Sequence, residues 1–172
     1  MNTLLASYPD FPLPGILFRD LNPVFADAVA FRAIIDELAE KHRGQFDAVA
    51  GIEARGFLFG AALAVKLGTG VLLIRKDGKL PGATIAEDYA LEYGTDRIAI
   101  HADACAPGAR VLLVDDLIAT GGTARAAVRL LHKAGAEVIQ AAFVIDLPEL
   151  GGAEALRGDG IPVTSLVAFE GH

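Results

Sequence analysis

Residues 111 to 131, VLLVDDLIATGGTARAAVRLL, leave little freedom to the rest of the chain. Val111, Leu112, Leu113 and Val114 form an apolar run without polar alternation, the pattern of a parallel strand covered on both faces. Asp115 and Asp116 are expected where that strand leaves the sheet. Thr120, Gly121, Gly122 and Thr123 then make a turn, and Gly122 or Thr123 opens a helix whose Ala127, Val128, Leu131 and Ala134 can pack on the sheet. Gly135 ends it. A strand of this kind requires parallel neighbours and helices on both sides, so the expected class is α/β with a central, mainly parallel sheet.

The same stretch carries chemistry. In open α/β proteins the crevice beyond the carboxyl ends of the strands is the usual ligand site. Free N–H groups and the dipole at a helix start favour an anion there, and a phosphate is the obvious candidate. Carboxylates a few residues away can accept hydrogen bonds from hydroxyls or hold a hydrated cation, which together suits a sugar phosphate. An ordinary strand, turn and helix without ligand is the plainer alternative. The glycine pattern is neither the GxGxxG dinucleotide fingerprint nor a Walker A loop, because no Gly-Lys-Ser/Thr follows.

Further βα units surround this one. Asp27 can cap a helix to about Arg43, with Phe31, Ile34, Ile35, Leu38 and His42 on one face; His42 is expected as a satisfied or partly exposed helix-end residue. A short strand, Asp47 to Gly51, runs into GIEARGFLFG, which places Glu53 and Arg55 at a strand-to-helix turn. Arg55 is a candidate anion clamp, or else a surface arginine paired with Glu53 or another carboxylate. Val71 to Ile74 reads as a buried strand that releases Arg75, Lys76 and Lys79, the densest local positive charge of the chain. That cluster can neutralise a polyphosphate or be a solvated turn. Residues 83 to 102 suggest two strands joined near Gly94 and Thr95, a hairpin able to fold over a site, with Glu92 and Tyr93 near its tip. Strands at Val138 to Ile145 and Val163 to Val167 and a short helix at Glu149 to Arg157 complete the series. Before all of these, Pro9, Pro12, Pro14 and Gly15 make Phe11 to Phe18 an extended or looped arm. Its Leu13, Ile16, Leu17 and Phe18 need cover from the domain, an active site or a second subunit.

The chain has 172 residues, enough for one α/β domain spanning residues 1–172, with an arm at 1–26 and a hairpin at about 83–102. Fifteen basic against twenty-two acidic residues give a net charge of −7 without a dense basic tract, which excludes duplex nucleic acid and anionic membranes as expected partners. The single cysteine, Cys105, forbids an internal disulfide and fits a cytoplasmic address. Neither a signal-like N-terminus nor an uncharged apolar run of about 18 residues is seen, so export and membrane spanning are not expected.

Taken together, FPLPGILFRD, GIEARGFLFG, IRKDGKLPG, YALEYGTD and VLLVDDLIATGGT resemble the adenine phosphoribosyltransferases of the type I phosphoribosyltransferase family over nearly the whole length. The resemblance implies the type I fold, with an N-terminal hood and a flexible antiparallel hairpin. It implies transfer of the phosphoribosyl group of 5-phosphoribosyl 1-diphosphate to N9 of adenine, giving AMP and diphosphate in purine salvage, with Mg2+ as cofactor and a cytoplasmic homodimer as the working form. By the same resemblance Asp115 and Asp116 face the ribose hydroxyls and touch the metal through water. Ala119, Thr120, Gly121, Gly122 and Thr123 cradle the 5-phosphate. Arg55, Arg75, Lys76 and Lys79 approach the diphosphate, the last two in some arrangements from across a dimer interface. Ile16, Leu17 and Arg19 form the adenine pocket, Glu92 handles the proton of adenine, and Tyr93 closes beside it. Two positions depart from the family pattern: Ala99 stands where a glutamate is usual, and Ile118 where a leucine is. A phosphoribosyltransferase for a 6-oxopurine and a non-catalytic sensor of phosphoribosyl diphosphate are the rival readings. Persistence of Glu92 and the lack of a spare DNA-binding segment favour turnover.

Overall fold

The computed structural model describes residues 5–11, 14, 15, 17–44, 46–91 and 94–170; the statements below concern these residues. Its centre is a seven-stranded sheet. In chain order the strands are β3 (Ala48–Ile52), β4 (Gly70–Lys76), β5 (Thr84–Leu91), β6 (Gly94–His101), β7 (Arg110–Ile118), β8 (Glu137–Asp146) and β9 (Val163–Ala168), arranged as β5-β6-β4-β3-β7-β8-β9. The run from β4 to β9 is parallel, and β6 joins β4 antiparallel only at Arg75↔Ala99 and Lys76↔Ile98. The mainly parallel sheet with an antiparallel hairpin agrees with expectation. The hairpin itself pairs from Thr84↔His101 to Leu91↔Gly94, within one residue of the expected bounds. Two earlier strands, β1 (Ala6–Pro9) and β2 (Leu17–Asp20), pair separately as a small antiparallel ribbon, so the proline-rich arm doubles back on itself.

Both faces of the sheet are covered. Strand β7 divides its apolar residues between them: Val111 and Leu113 join the core beneath α4 (Gly122–Lys133) and α5 (Gly152–Gly158), while Leu112 and Val114 join the core beneath α2 (Ala28–Lys41) and α3 (Arg55–Leu67). This is why the run shows no polar alternation. A five-residue α1 (Asn22–Ala26) precedes α2, whose N-cap Asp27 accepts the N–H groups of Val29 and Ala30 at 2.9 Å. In α3, Gly56, Phe59, Gly60, Leu63 and Ala64 form the buried face.

Two expectations need correction. Strand β7 does not end before the aspartates; Asp115 pairs with Phe143, Leu117 with Ile145 and Ile118 with Asp146. The carboxylates therefore project from within a hydrogen-bonded strand, held by the long partner β8, and only residues 119–121 form the turn. His42, the C-cap of α2, is 1% exposed, and neither ring nitrogen has a hydrogen-bond partner among the described residues. It packs edge-on against Phe46 with ring centroids 5.8 Å apart, while nearby Gln140 gives its amide to Thr164. Burial lowers its pKa from 6.5; the nearby Gln140 side chain opposes this in part and the Lys41 charge adds to it.

Candidate active site

The direction of winding reverses between β3 and β7. From β3 the chain passes through α3 to β4 on one side; from β7 it passes through α4 to β8 on the other. The two strand ends and the turns that leave them diverge at that point, and a crevice of about 400 Å³ opens between them. Its walls are Glu53, Ala54 and Arg55 after β3, Lys76 at the end of β4, Tyr89 from β5, and the continuous stretch from Asp115 to Ala124.

The crevice floor is carboxylate. Asp116 is nearly buried, and Arg55 Nε lies 2.7 Å from its Oδ2. That oxygen nevertheless receives no well-directed hydrogen bond among the described residues, so the guanidinium balances its charge without satisfying it. Asp115 accepts the backbone N–H of Asp116 at 2.8 Å. Burial, reinforced by the neighbouring Asp116, pushes the Asp115 carboxyl well above the usual carboxylate range. Gly56 makes this packing possible, since a Cβ there would lie 2.8 Å from Asp115 Oδ1 and 2.9 Å from the Val114 carbonyl.

At one end of the floor, the turn 119–121 leads into α4 through Gly121, whose φ of +80° is the left-handed conformation that glycine adopts without strain. Ala119, Thr120, Gly121, Gly122 and Thr123 all line the crevice. Among the described residues no side chain caps this helix start, which leaves its first N–H groups suited to an anion.

The opposite wall is cationic. Lys76 Nζ donates to Tyr89 Oη at 2.7 Å and pairs with Asp96, to which Tyr89 also donates at 2.9 Å. Asp96 and Tyr89 were not singled out from sequence; only the β5–β6 register brings them to Lys76. Arg75 instead pairs with Glu53 at 3.2 Å and donates to the Lys79 carbonyl at 3.3 Å, and the Lys79 side chain is exposed. Neither lines the crevice. Glu53 also accepts the Lys76 backbone N–H at 2.8 Å, the chief cause of its lowered pKa. Glu53 is thus occupied by β4, and the partner of Arg55 is Asp116.

The arm reaches this wall through Phe18, whose ring lies 5.6 Å from the Arg55 guanidinium. Leu17 and Arg19 flank it on β2. Arg19 donates to Ser7 Oγ at 2.8 Å and stacks 4.7 Å over Phe169, leaving its buried Nε without a partner among the described residues. Ile16, Glu92 and Tyr93 lie outside the described residues. Ala99 is buried on β6 opposite Arg75 and Ala86, away from the crevice lining. Ile118 fills the core where β7 ends.

A phosphate-sized turn, a carboxylate floor and a cationic wall in one crevice can hold an anionic sugar with hydroxyls at its centre. Known proteins agree with that description. Residues 25–159 match the family model described as phosphoribosyl transferase domain. An adenine phosphoribosyltransferase of Rhodopseudomonas palustris is 58% identical over 165 residues, covering 95% of this chain and 91% of its own. Among solved structures, adenine phosphoribosyltransferase from Thermoanaerobacter pseudethanolicus superposes with a TM-score of 0.93 at 47% identity, covering 98% and 97% of the two chains. The Saccharomyces cerevisiae enzyme, complexed with adenine and an imino-altritol bisphosphate, gives 0.90 at 40% identity over 96% of each. From the site geometry and these likenesses together, the chain belongs to the adenine phosphoribosyltransferase family.

Proposed function

We propose that the chain transfers the 5-phosphoribosyl group from 5-phosphoribosyl 1-diphosphate to N9 of adenine, releasing diphosphate and forming AMP. The observation that carries this reading is the crevice that the turn 119–121, the start of α4 and the Asp115–Asp116 pair line together with Arg55 and Lys76. Turn, carboxylates and cations line the same crevice, and a substrate made of 5-phosphate, ribose and diphosphate offers a partner to each.

In the reaction the C1–oxygen bond to diphosphate breaks, a bond from C1 to adenine N9 forms, and the N9 proton leaves the base. Positive character builds on the ribose as diphosphate departs. Asp115 and Asp116 lie where they can accept the ribose hydroxyls and stabilise that charge; Arg55 and Lys76 meet the departing diphosphate. Arg75 and Lys79 widen the positive field on that side. Glu92 takes the proton of adenine, with Tyr93 as its closing partner. Main-chain groups around Ile16 and Leu17, with Arg19, read the edge of the base.

The residues fit Mg2+ as cofactor. No group of three or more His, Cys, Asp or Glu side chains forms a protein cage among the described residues. The adjacent carboxylates of Asp115 and Asp116 line a crevice that also carries cations, a donor set that suits a magnesium ion that keeps its waters and shares substrate oxygens. Bound there with substrate, the ion supplies charge neutralisation to the diphosphate; Asp115 and Asp116 would hold it through water.

Homodimerisation is part of the same reading. Leu58 and Val65 on α3 and Val71 and Leu73 on β4 are large apolar residues left exposed, Val65 at 83%. Adjacent elements with such a surface suit a second copy. No helix among the described residues is long and apolar enough to cross a membrane, and a lone cysteine suits the reducing cytoplasm.

The experiment is the double substitution of Asp115 and Asp116 by asparagine, which keeps shape and removes charge. Turnover is expected to fall roughly 10²-fold or more while the protein still melts cooperatively. An unchanged rate would remove the carboxylates from the reaction.

A further inference from the structure

We propose that Gly152, which lines no part of the crevice, is the positioning residue of the phosphate turn 119–121. It lies some thirty positions further along the chain, at the start of α5, and it is buried. Its N–H donates to the Ala119 carbonyl at 3.0 Å. A Cβ built on Gly152 would fall 2.3 Å from that carbonyl oxygen, 2.6 Å from the Gly121 nitrogen and 2.8 Å from the Thr120 carbonyl carbon. All three are backbone atoms of the turn, so no flexible side chain can yield. From the other side, a Cβ on Gly121 would fall 2.9 Å from Gly152 Cα and 3.0 Å from its carbonyl oxygen.

The turn and the start of α5 therefore meet backbone to backbone, and the missing side chain of Gly152 sets how deep the turn sits. That depth matters because N–H donors hold a phosphate only within a few tenths of an ångström of the ideal distance. Gly152 acts through the turn and not on the substrate. The inference rests on the assignment of the turn to the 5-phosphate.

The test compares Gly152→Ala with Gly151→Ala. Gly151 precedes the same helix at φ +74° but has nothing within 4 Å of a built Cβ, so its substitution strains the backbone without touching the turn. Gly152→Ala is expected to raise KM for 5-phosphoribosyl 1-diphosphate about tenfold or more, with KM for adenine within about twofold of the parent. Gly151→Ala is expected to lower the melting temperature with both KM values unchanged. A Gly152→Ala enzyme that melts lower but keeps the parental KM for 5-phosphoribosyl 1-diphosphate overturns the proposal. Should Gly152→Ala fail to fold, amide exchange on the unmodified protein decides. Saturating ribose 5-phosphate is expected to slow exchange at residues 120–123 and at Gly152 together. Protection of 120–123 without Gly152 defeats the positioning role alone; no protection at 120–123 defeats the phosphate assignment and the inference with it.

Discussion

Asp115 and Asp116 are neighbours in sequence with different surroundings. Asp116 faces Arg55 at 2.7 Å, whereas Asp115 is packed against Gly56 and its carboxyl is pushed up by burial. Their chemical interest was legible from the sequence because two carboxylates before a glycine turn are unusual at a strand end. Which of them meets Arg55 was not, since that depends on side-chain alternation along β7. His42 shows a different limit: a helix-end histidine reads as satisfied or partly exposed, but the fold closes over it and neither ring nitrogen has a partner among the described residues. Its consequence is measurable. The unfolded chain binds a proton near 6.5 and the folded chain only at lower pH, so stability is complete above that value and falls as pH drops through the window beneath it. Replacing His42 by Leu is expected to flatten the melting temperature between about pH 7 and pH 5 relative to the parent. Identical pH profiles would show that His42 is not the group being titrated.

At the scale of elements, the strand, helix and hairpin order followed from apolar runs, capping residues and glycines, and the hairpin bounds were almost right. The end of β7 was misplaced because polar residues close an apolar run in sequence, while the long partner β8 continues the ladder past them. The ribbon β1–β2 was missed since prolines mask pairing in a short edge element. The contact between Gly152 and the turn has no local signal at all; it exists only once α5 has docked. Helix α3 and β7 meet through Gly56, where no Cβ fits. Gly56→Ala is therefore expected to cost roughly 1–3 kcal/mol of stability through overpacking. It should also lower turnover by displacing Asp115, as denaturant unfolding and steady-state kinetics on one preparation would reveal. Undiminished stability would mean that α3 shifts freely, and the close contact at Gly56 would not hold Asp115 in place.

Across the whole molecule, the sheet reversal places the crevice, and the exposed apolar residues of α3 and β4 are not among its lining. Val65→Asp is expected to convert the proposed homodimer to monomer in light scattering, because a charge set among apolar residues at that proposed interface would have no partner. A variant that remains dimeric would move the interface elsewhere. Selection between bases belongs to this scale as well, since the proposed reading draws on the arm, the hairpin and the crevice together. A base whose buried donor or acceptor is mismatched loses about 1–3 kcal/mol, or roughly tenfold to a hundredfold in rate. The most direct measurement is nucleotide formation from 5-phosphoribosyl 1-diphosphate and Mg2+ with adenine, hypoxanthine and guanine at matched concentrations. Rapid formation of AMP with stoichiometric diphosphate, and poor turnover of the two 6-oxopurines, is the predicted result. Comparable turnover of hypoxanthine, or binding of 5-phosphoribosyl 1-diphosphate without diphosphate release when adenine is present, would contradict it.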